Sequence, residues 1–353
     1  MFETIEQQLQ GAFLSKFKIV QWALNKQMPT TLEVHPTYRC NYNCNFCIDK
    51  SLREAPENPG GYHINKDNKS QLTKENMDTI IQGLKDLNIK GLILSGGGEP
   101  TINLHTLYLV QEAAKIGVSV GLFTNGSVLT DESLREYIRC VDFIRFSLDD
   151  FTEATYVKTK GTVAAMYHKV LETLKKAVQF KKELKSKCKV GVDYIIQPDN
   201  HDKIQHVYKE ASKLGADYVQ YCDCVVWGYQ FTERMKREMF KEINRVIGYK
   251  EDKELQTEIV YEPAPITNDT PCGQCKMVDY IFQVGGDGGV RPCPHIARHD
   301  ELLYGNINDK SLKEIWVGRH DMKNTPMVYE YCRFREQNKI LKALSHIEHE
   351  KLL

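Results

Sequence analysis

The sequence predicts an α/β fold: a partial (β/α)6 TIM-like barrel followed by a small C-terminal β-hairpin-plus-helix domain. Three observations lead there. Between Thr31 and Val225 short β-rich runs alternate with helix-period segments, the pattern of a parallel sheet with right-handed crossovers. At least two of these strands have one apolar and one polar face, whereas a strand sandwiched between two helix layers reads apolar on both. The polar residues also gather at strand C-terminal ends, where barrels carry their chemistry.

The strands are expected in "TTLEVHPTY", "KGLILSG", "VSVGLFTNG", "DFIRFSLDD", "KVGVDYIIQP" and "DYVQYCDCVV". Helical stretches such as "KENMDTIIQGLKDLN", "LHTLYLVQEAAKIG" and "HDKIQHVYKEASKLG" separate them and end in Gly or Asn, as helix stops should. In the fourth strand Arg145, Ser147 and Asp149 share one face while Ile144, Phe146 and Leu148 share the other. In the sixth, Tyr218, Gln220, Cys222 and Cys224 oppose Val219, Tyr221 and Val225. The polar face is the one a reaction cavity needs. The stretch "DKSLREAPENPGGYHINKDNKSQ" reads as a long polar loop, with a lid over that cavity as one use for it. Beyond Val225 come a helix from about Thr232 to Ile247, a strand in "EIVYE", and a hairpin in "YIFQVGGDGGVRPCPH" that turns at "GGDGG". A surface helix in "REQNKILKALSHIEHEKLL" closes the series; its His346 and His349 do not make a zinc-binding H-E-x-x-H pattern. The expected divisions are a helical extension over 1–30, the barrel over 31–228, a connection over 229–265, the small domain over 266–335 and a helix over 336–353.

Composition narrows the function. The 353 residues carry zero formal net charge and no long basic or acidic block, which argues against a nucleic-acid surface. No apolar run approaches the roughly 18 residues of a membrane span, and "MFETIEQQLQ" lacks the look of a secretory signal, so a cytoplasmic location is expected. In a reducing compartment clustered cysteines point to metal, and there are 11 cysteines. They form a triplet at Cys40, Cys44 and Cys47, a pair at Cys222 and Cys224, and a C-terminal set at Cys272, Cys275, Cys293 and Cys332. Cys140 and Cys188 stand alone and read as small buried apolar residues.

The triplet has the spacing C-x3-C-x2-C in "CNYNCNFC". Short spacing brings several thiolates to one compact iron–sulfur core, and three of them leave one iron open for a ligand. A zinc site completed by His35 or Asp49, or packed thiols without metal, are the other readings. In "LSGGGEPT", where the second strand ends, three glycines allow close approach to the backbone, and Glu99 offers a carboxylate to an ammonium group. In "FSLDD" the inner-face Ser147 and Asp149 suit hydroxyl recognition.

Together "CNYNCNFC", "GGGEP", "TNG" and "SLD", each after its own strand, resemble the radical S-adenosylmethionine (radical SAM) enzymes. The resemblance implies a [4Fe–4S] cluster on Cys40, Cys44 and Cys47, with SAM taking the open iron through its amino and carboxylate groups. It implies further that Gly96, Gly97, Gly98 and Glu99 hold the methionine amino group, that Ser147 and Asp149 contact the ribose, and that Asn125 and Gln197 belong to the same pocket. One electron would then cleave SAM to a 5′-deoxyadenosyl radical that abstracts hydrogen from a substrate C–H; a flavodoxin or ferredoxin is the implied electron donor.

The C-terminal set is similar to the Twitch/SPASM-like auxiliary-cluster domains of the same superfamily, which implies one auxiliary [4Fe–4S] cluster on Cys272, Cys275, Cys293 and Cys332. A zinc site of three cysteines and His295 is the other reading of this set. Cys222 and Cys224, two apart on a strand, share the cavity face, and a thiol there can return a hydrogen atom to a substrate radical. Asp193, Tyr194, Tyr221, Asp223 and Lys158 are expected substrate contacts. The expected function is an epimerase or dehydrogenase acting on a small molecule, a sugar or nucleoside. Residues 1–30 read as one or two helices and not as a leader-peptide binder, which favours that substrate class over a ribosomal peptide. Peptide epimerisation or crosslinking is the alternative, and a non-enzymatic iron–sulfur or zinc regulator a distant one.

Overall fold

The structure is a computed structural model that describes residues 29–47, 49, 70–224, 231–248, 257–262, 275–294, 302–319, 334, 337–338 and 341. The expected N-terminal helices, most of the polar loop after Cys47, Cys272, His295, Cys332 and most of the C-terminal helix lie outside these residues.

The alternation expected from the sequence is the architecture observed. Six strands, β1 (Thr31–Val34), β2 (Gly91–Leu94), β3 (Ser119–Thr124), β4 (Phe143–Ser147), β5 (Lys189–Ile196) and β6 (Tyr218–Asp223), lie side by side in chain order, each parallel to the next. The crossovers carry α1 (Lys74–Asp86), α2 (Thr106–Lys115), α3 (Asp131–Cys140), α4 (Glu153–Lys160), α5 (Ala164–Glu183) and α6 (Ile204–Leu214). Thr73 and Thr130 open α1 and α3 with reciprocal capping boxes, and Gly215 closes α6 in the left-handed conformation. No helix among the described residues is long and apolar enough to cross a membrane.

The sheet continues past the six strands at both edges. After α7 (Glu233–Gly248), β7 (Glu258–Glu262) adds in parallel to β6. The expected hairpin forms from β8 (Ile281–Val284) and β9 (Gly289–Arg291), and β8 lies parallel to β1 with Glu33 opposite Gln283. β10 (Gly305–Asn306) pairs with β9, and α8 (Leu312–Gly318) follows, its Trp316 ring 4.9 Å from that of Phe282. One ten-stranded sheet therefore links the barrel to the hairpin that carries Cys293.

The two strand faces separate as the period of two requires. Leu32, Leu92, Leu94, Leu122, Ile144, Phe146, Val192 and Val219 are buried on the helix side. On the other side the interior is lined by Phe123, Phe143, Arg145, Ser147, Asp193, Tyr218, Gln220 and Cys222. The rings of Phe143 and Tyr218 lie where side chains at Gly121 and Gly191 would be: a Cβ there would stand 2.2 and 2.1 Å from them.

Candidate active site

The cysteine loop leaves β1 and is tied down at several points. Asn43 and Asn45 donate their backbone N–H groups to the carbonyls of Lys160 (3.1 Å) and Thr159 (3.0 Å), at the C-terminal end of α4. Asn125 Nδ2 donates to Asn41 Oδ1 at 2.9 Å, and Asn41 Nδ2 to Ser127 Oγ at 2.7 Å. Asn125, expected in the cofactor pocket, thus holds the cysteine loop against the end of β3. Cys40, Cys44 and Cys47 are half-buried. Burial pushes the Cys44 thiol up to about 12; Lys160 opposes this, while Cys47 and Cys40 add to it, so the three sulfurs are electrostatic neighbours. The zinc ligands considered from sequence each have a partner of their own. His35 Nε2 lies 3.2 Å from Glu33 Oε1, and Asp49 Oδ2 accepts the Gly97 N–H at 3.1 Å. Among the described residues no three His, Cys, Asp or Glu side chains converge on a single ion.

The glycine turn packs directly on this loop. Gly97 has φ +80°, and a Cβ on Gly98 would stand 2.1 Å from the Arg39 carbonyl oxygen, which no side chain can share. Glu99 is 3% exposed and donates its N–H to that same carbonyl at 2.9 Å. Its carboxylate accepts from Thr101 N (3.1 Å), Thr101 Oγ1 (2.6 Å), Thr124 Oγ1 (2.7 Å) and Asn125 N (2.6 Å). Burial raises its pKa, and the four hydrogen bonds act against that rise. Besides the ammonium contact expected from the sequence, Glu99 joins the ends of β2 and β3.

Asp149 sits at φ 59° just past β4. Its Oδ1 accepts the Ile195 N–H at 2.7 Å and its Oδ2 takes the Lys160 ammonium, in an ion pair only 2% and 1% exposed. Burial alone would lower the Lys160 pKa, but Asp149 and Cys44 raise it on balance, so the ammonium keeps its proton. Lys160 also stands 5.1 Å from the centroid of the Phe46 ring. Nothing in the sequence singled out this lysine; its place before Gly161, at the end of a helix following "SLDD", was the one available signal. Ser147 remains half-buried on the inner face. Gln197 is 2% exposed; its backbone N–H donates to Asn200 Oδ1 at 2.6 Å, and its Nε2 meets no acceptor among the described residues.

Deeper in the barrel, Arg145 lies 3.7 Å from the centroid of the Phe123 ring, donates to Gln220 Oε1, and reaches Asp193 at 3.8 Å. Gln220 Nε2 is 3.4 Å from Cys222 Sγ. Cys222 is half-buried and Cys224 buried, two apart in the chain at the end of β6. Of the other expected substrate contacts only Asp193 is on this face. Tyr194 and Tyr221 lie under the helices, donating to the carbonyls of Asn200 (2.7 Å) and Ile204 (2.9 Å), because their strand positions have the opposite parity. Asp223 shares that parity and meets Tyr261 at 3.2 Å, and Lys158 is exposed, paired with Asp199 at 3.1 Å.

A family model described as the radical SAM superfamily matches residues 34–211, and one described as an iron–sulfur cluster-binding domain, SPASM, matches residues 275–343. The chain belongs to the radical SAM superfamily. It is 26% identical over 333 residues to the tungsten-containing aldehyde ferredoxin oxidoreductase cofactor-modifying protein of Pyrococcus furiosus, covering 86% of this chain and 82% of that protein. Its fold resembles that of Streptococcus suis SuiB bound to S-adenosylmethionine (TM-score 0.61, 14% identity, 86% of this chain and 68% of that one). It also resembles native anSMEcpe with bound AdoMet (TM-score 0.59, 15% identity, 82% of this chain and 81% of that one).

As a radical SAM enzyme with a SPASM domain it uses S-adenosylmethionine, a [4Fe–4S] cluster and auxiliary iron–sulfur ligation. The residues present fit these groups. Three neighbouring thiols share one loop, the glycine turn beside them has room only for backbone, and Gln197 keeps an unpartnered buried donor for a ligand acceptor. At the far edge of the sheet, Cys275 and Cys293 are half-buried against Met277, Ile281, Phe334 and Leu341.

Proposed function

We propose that this radical SAM enzyme inverts a stereocentre of a small molecule held inside the barrel, with Cys222 returning the hydrogen. Bound SAM and its cluster would supply a carbon radical that removes the substrate hydrogen. Cys40, Cys44 and Cys47 would ligate that cluster, Gly96–Glu99 would receive the methionine amino group, and Ser147 and Gln197 would face the adenosine part. The Cys222 S–H bond then breaks as a new C–H bond forms on the opposite face of the substrate carbon. The remaining sulfur radical takes one electron and one proton to become a thiol again. The electron would come by way of one auxiliary [4Fe–4S] cluster on Cys272, Cys275, Cys293 and Cys332 from a flavodoxin or ferredoxin.

The observation that carries this reading is Cys222 itself, half-buried on the inner face of β6, one strand position beyond the polar Arg145–Asp193–Gln220 layer. Cys224 is more deeply buried, which favours Cys222 of the two. The name of the Pyrococcus relative describes a protein that modifies a cofactor, which supports a small molecule over a peptide.

Anaerobically reconstituted enzyme with SAM, dithionite and a panel of sugars and nucleosides in D2O tests this. A substrate that triggers 5′-deoxyadenosine formation should appear inverted, with deuterium at the inverted carbon. Cys222→Ala should still make 5′-deoxyadenosine but lose the inverted product, whereas Cys224→Ala should keep it. A product two hydrogens lighter, formed equally by Cys222→Ala, would show oxidation in place of inversion. If no sugar or nucleoside is turned over but peptides supplied in a parallel assay are modified, the substrate class is replaced.

A further inference from the structure

The loop before Cys40 and the hairpin before Cys293 are joined by one side chain. Tyr38 leaves the sheet two residues ahead of Cys40, is buried, and has its backbone N–H fixed to the Ser70 carbonyl at 3.0 Å. Its ring fills the space over the glycine turn: a Cβ on Gly97 would stand 2.6 Å from Tyr38 Cδ1. Its hydroxyl reaches across to the hairpin, where it donates to Asp287 Oδ1 at 3.2 Å, and a Cβ on Gly285 would stand 2.2 Å from the Tyr38 hydroxyl oxygen. The far anchor is itself held firmly. Asp287 takes Arg291 on both oxygens, at 3.2 and 2.8 Å, and the Gly289 N–H at 3.0 Å, while Asn306 Nδ2 holds the Asp287 carbonyl at 3.1 Å. Arg291 is almost fully buried and lies two residues before Cys293.

A phenol with glycines at both its ends, and with a hydrogen bond to an ion pair whose arginine is buried and whose aspartate is half-buried, has little freedom. Strand pairing already joins β8 to β1, but pairing fixes only backbone; where the turn Gly96–Gly98 lies above the strands depends on what packs on it. Tyr38 packs on it from one side, beside His35 and the Asp49 carboxylate that holds the Gly97 N–H, and the Arg39 carbonyl packs on it from the other.

We infer that Tyr38 is a positioning residue: through the Tyr38–Asp287 contact, the hairpin of the auxiliary domain holds the Gly96–Gly98 turn in the shape that receives the amino acid part of SAM. Loss of the hairpin's hold then lowers SAM affinity without removing any group that would touch SAM. The inference rests on assigning that turn to SAM.

The experiment is SAM binding to the anaerobically reconstituted full chain, by equilibrium dialysis with radiolabelled SAM, with the SAM-induced change in the EPR spectrum of the reduced cluster as a second readout. Tyr38→Phe keeps the ring over Gly97 and loses only the bond to Asp287; it should bind SAM about five- to tenfold more weakly at unchanged iron content per chain. Asp287→Asn, which breaks the Arg291 pair, should weaken binding similarly, and the double variant should be no worse than the weaker single, because both cut one link. Gly98→Ala serves as the reference. If it leaves SAM affinity unchanged, the turn is not the SAM site and the underlying assignment fails. If Gly98→Ala abolishes binding while Tyr38→Phe and Asp287→Asn keep wild-type affinity and EPR response, the assignment stands and the Tyr38 inference is overturned. Should Tyr38→Phe fail to fold, Asp287→Asn alone decides, wild-type affinity in it counting against the inference.

Discussion

On the helix side of β4, β5 and β6, Ile144, Phe146, Val192 and Val219 are wholly buried, and Tyr194 and Tyr221 close their hydroxyls onto chain carbonyls. One residue away along the same strands, the cavity side carries Arg145, Asp193, Gln220 and Cys222, with the two charged groups each 13% exposed. Folding alone explains the first face: apolar area leaves water, and every polar atom finds a partner. It does not explain the second, because bringing an arginine and an aspartate into a barrel costs several kcal/mol of desolvation per ion that their attraction barely offsets. Ordinary barrel interiors are filled with branched aliphatic residues. The difference teaches that the polar layer is retained for what enters the barrel.

Several substitutions would break or sharpen this comparison. Phe146→Ala, on the helix side, should lower the unfolding free energy by about 3–5 kcal/mol in urea titration, with SAM cleavage per folded, cluster-loaded chain unchanged. Lys160→Met should cost a similar ~3–5 kcal/mol, because it strands Asp149 as an uncompensated buried carboxylate, and adding Asp149→Asn should restore most of the loss. On the cavity side, joint replacement of Arg145 by Met and Asp193 by Leu should leave stability unchanged or raise it by about 1–4 kcal/mol, while product formation disappears. A double variant as unstable as Phe146→Ala would erase the contrast between the faces.

The smallest expected effect concerns pH. Burial pushes the Cys188 thiol up to about 12, so the folded chain holds that proton more tightly than the unfolded chain does. The corresponding stability is complete below the ordinary thiol range and is lost as pH rises through about 12. Cys188→Val should flatten the alkaline limb of a stability-against-pH curve and leave neutral-pH stability within about 1 kcal/mol.

Much of the site was legible because its signals are local. "CNYNCNFC", "GGGEP" and "SLD" each occupy a few consecutive residues, and strand parity alone put Arg145, Ser147 and Cys222 on one face. Parity also contained the answer that the sequence reading passed over for Tyr194, Tyr221 and Asp223, whose positions alternate with the cavity residues. For Glu99 and Asp149 the sequence showed a carboxylate at a strand end but not what else it binds; their partners at Thr124, Asn125, Lys160 and Ile195 come from other elements.

By itself the sequence determined the order of strands and helices, the helix stops, the hairpin and the composition of each loop, since periodicity and turn chemistry act over a few residues. Only the tertiary structure decided that β8 closes against β1, that Lys160 lies buried beside the cysteine loop, and that Tyr38 meets Asp287 from 249 positions away. Contacts of that kind depend on sheet register and on which crossover ends come together. No local pattern in the chain carries that information; the packing of the whole sheet supplies it.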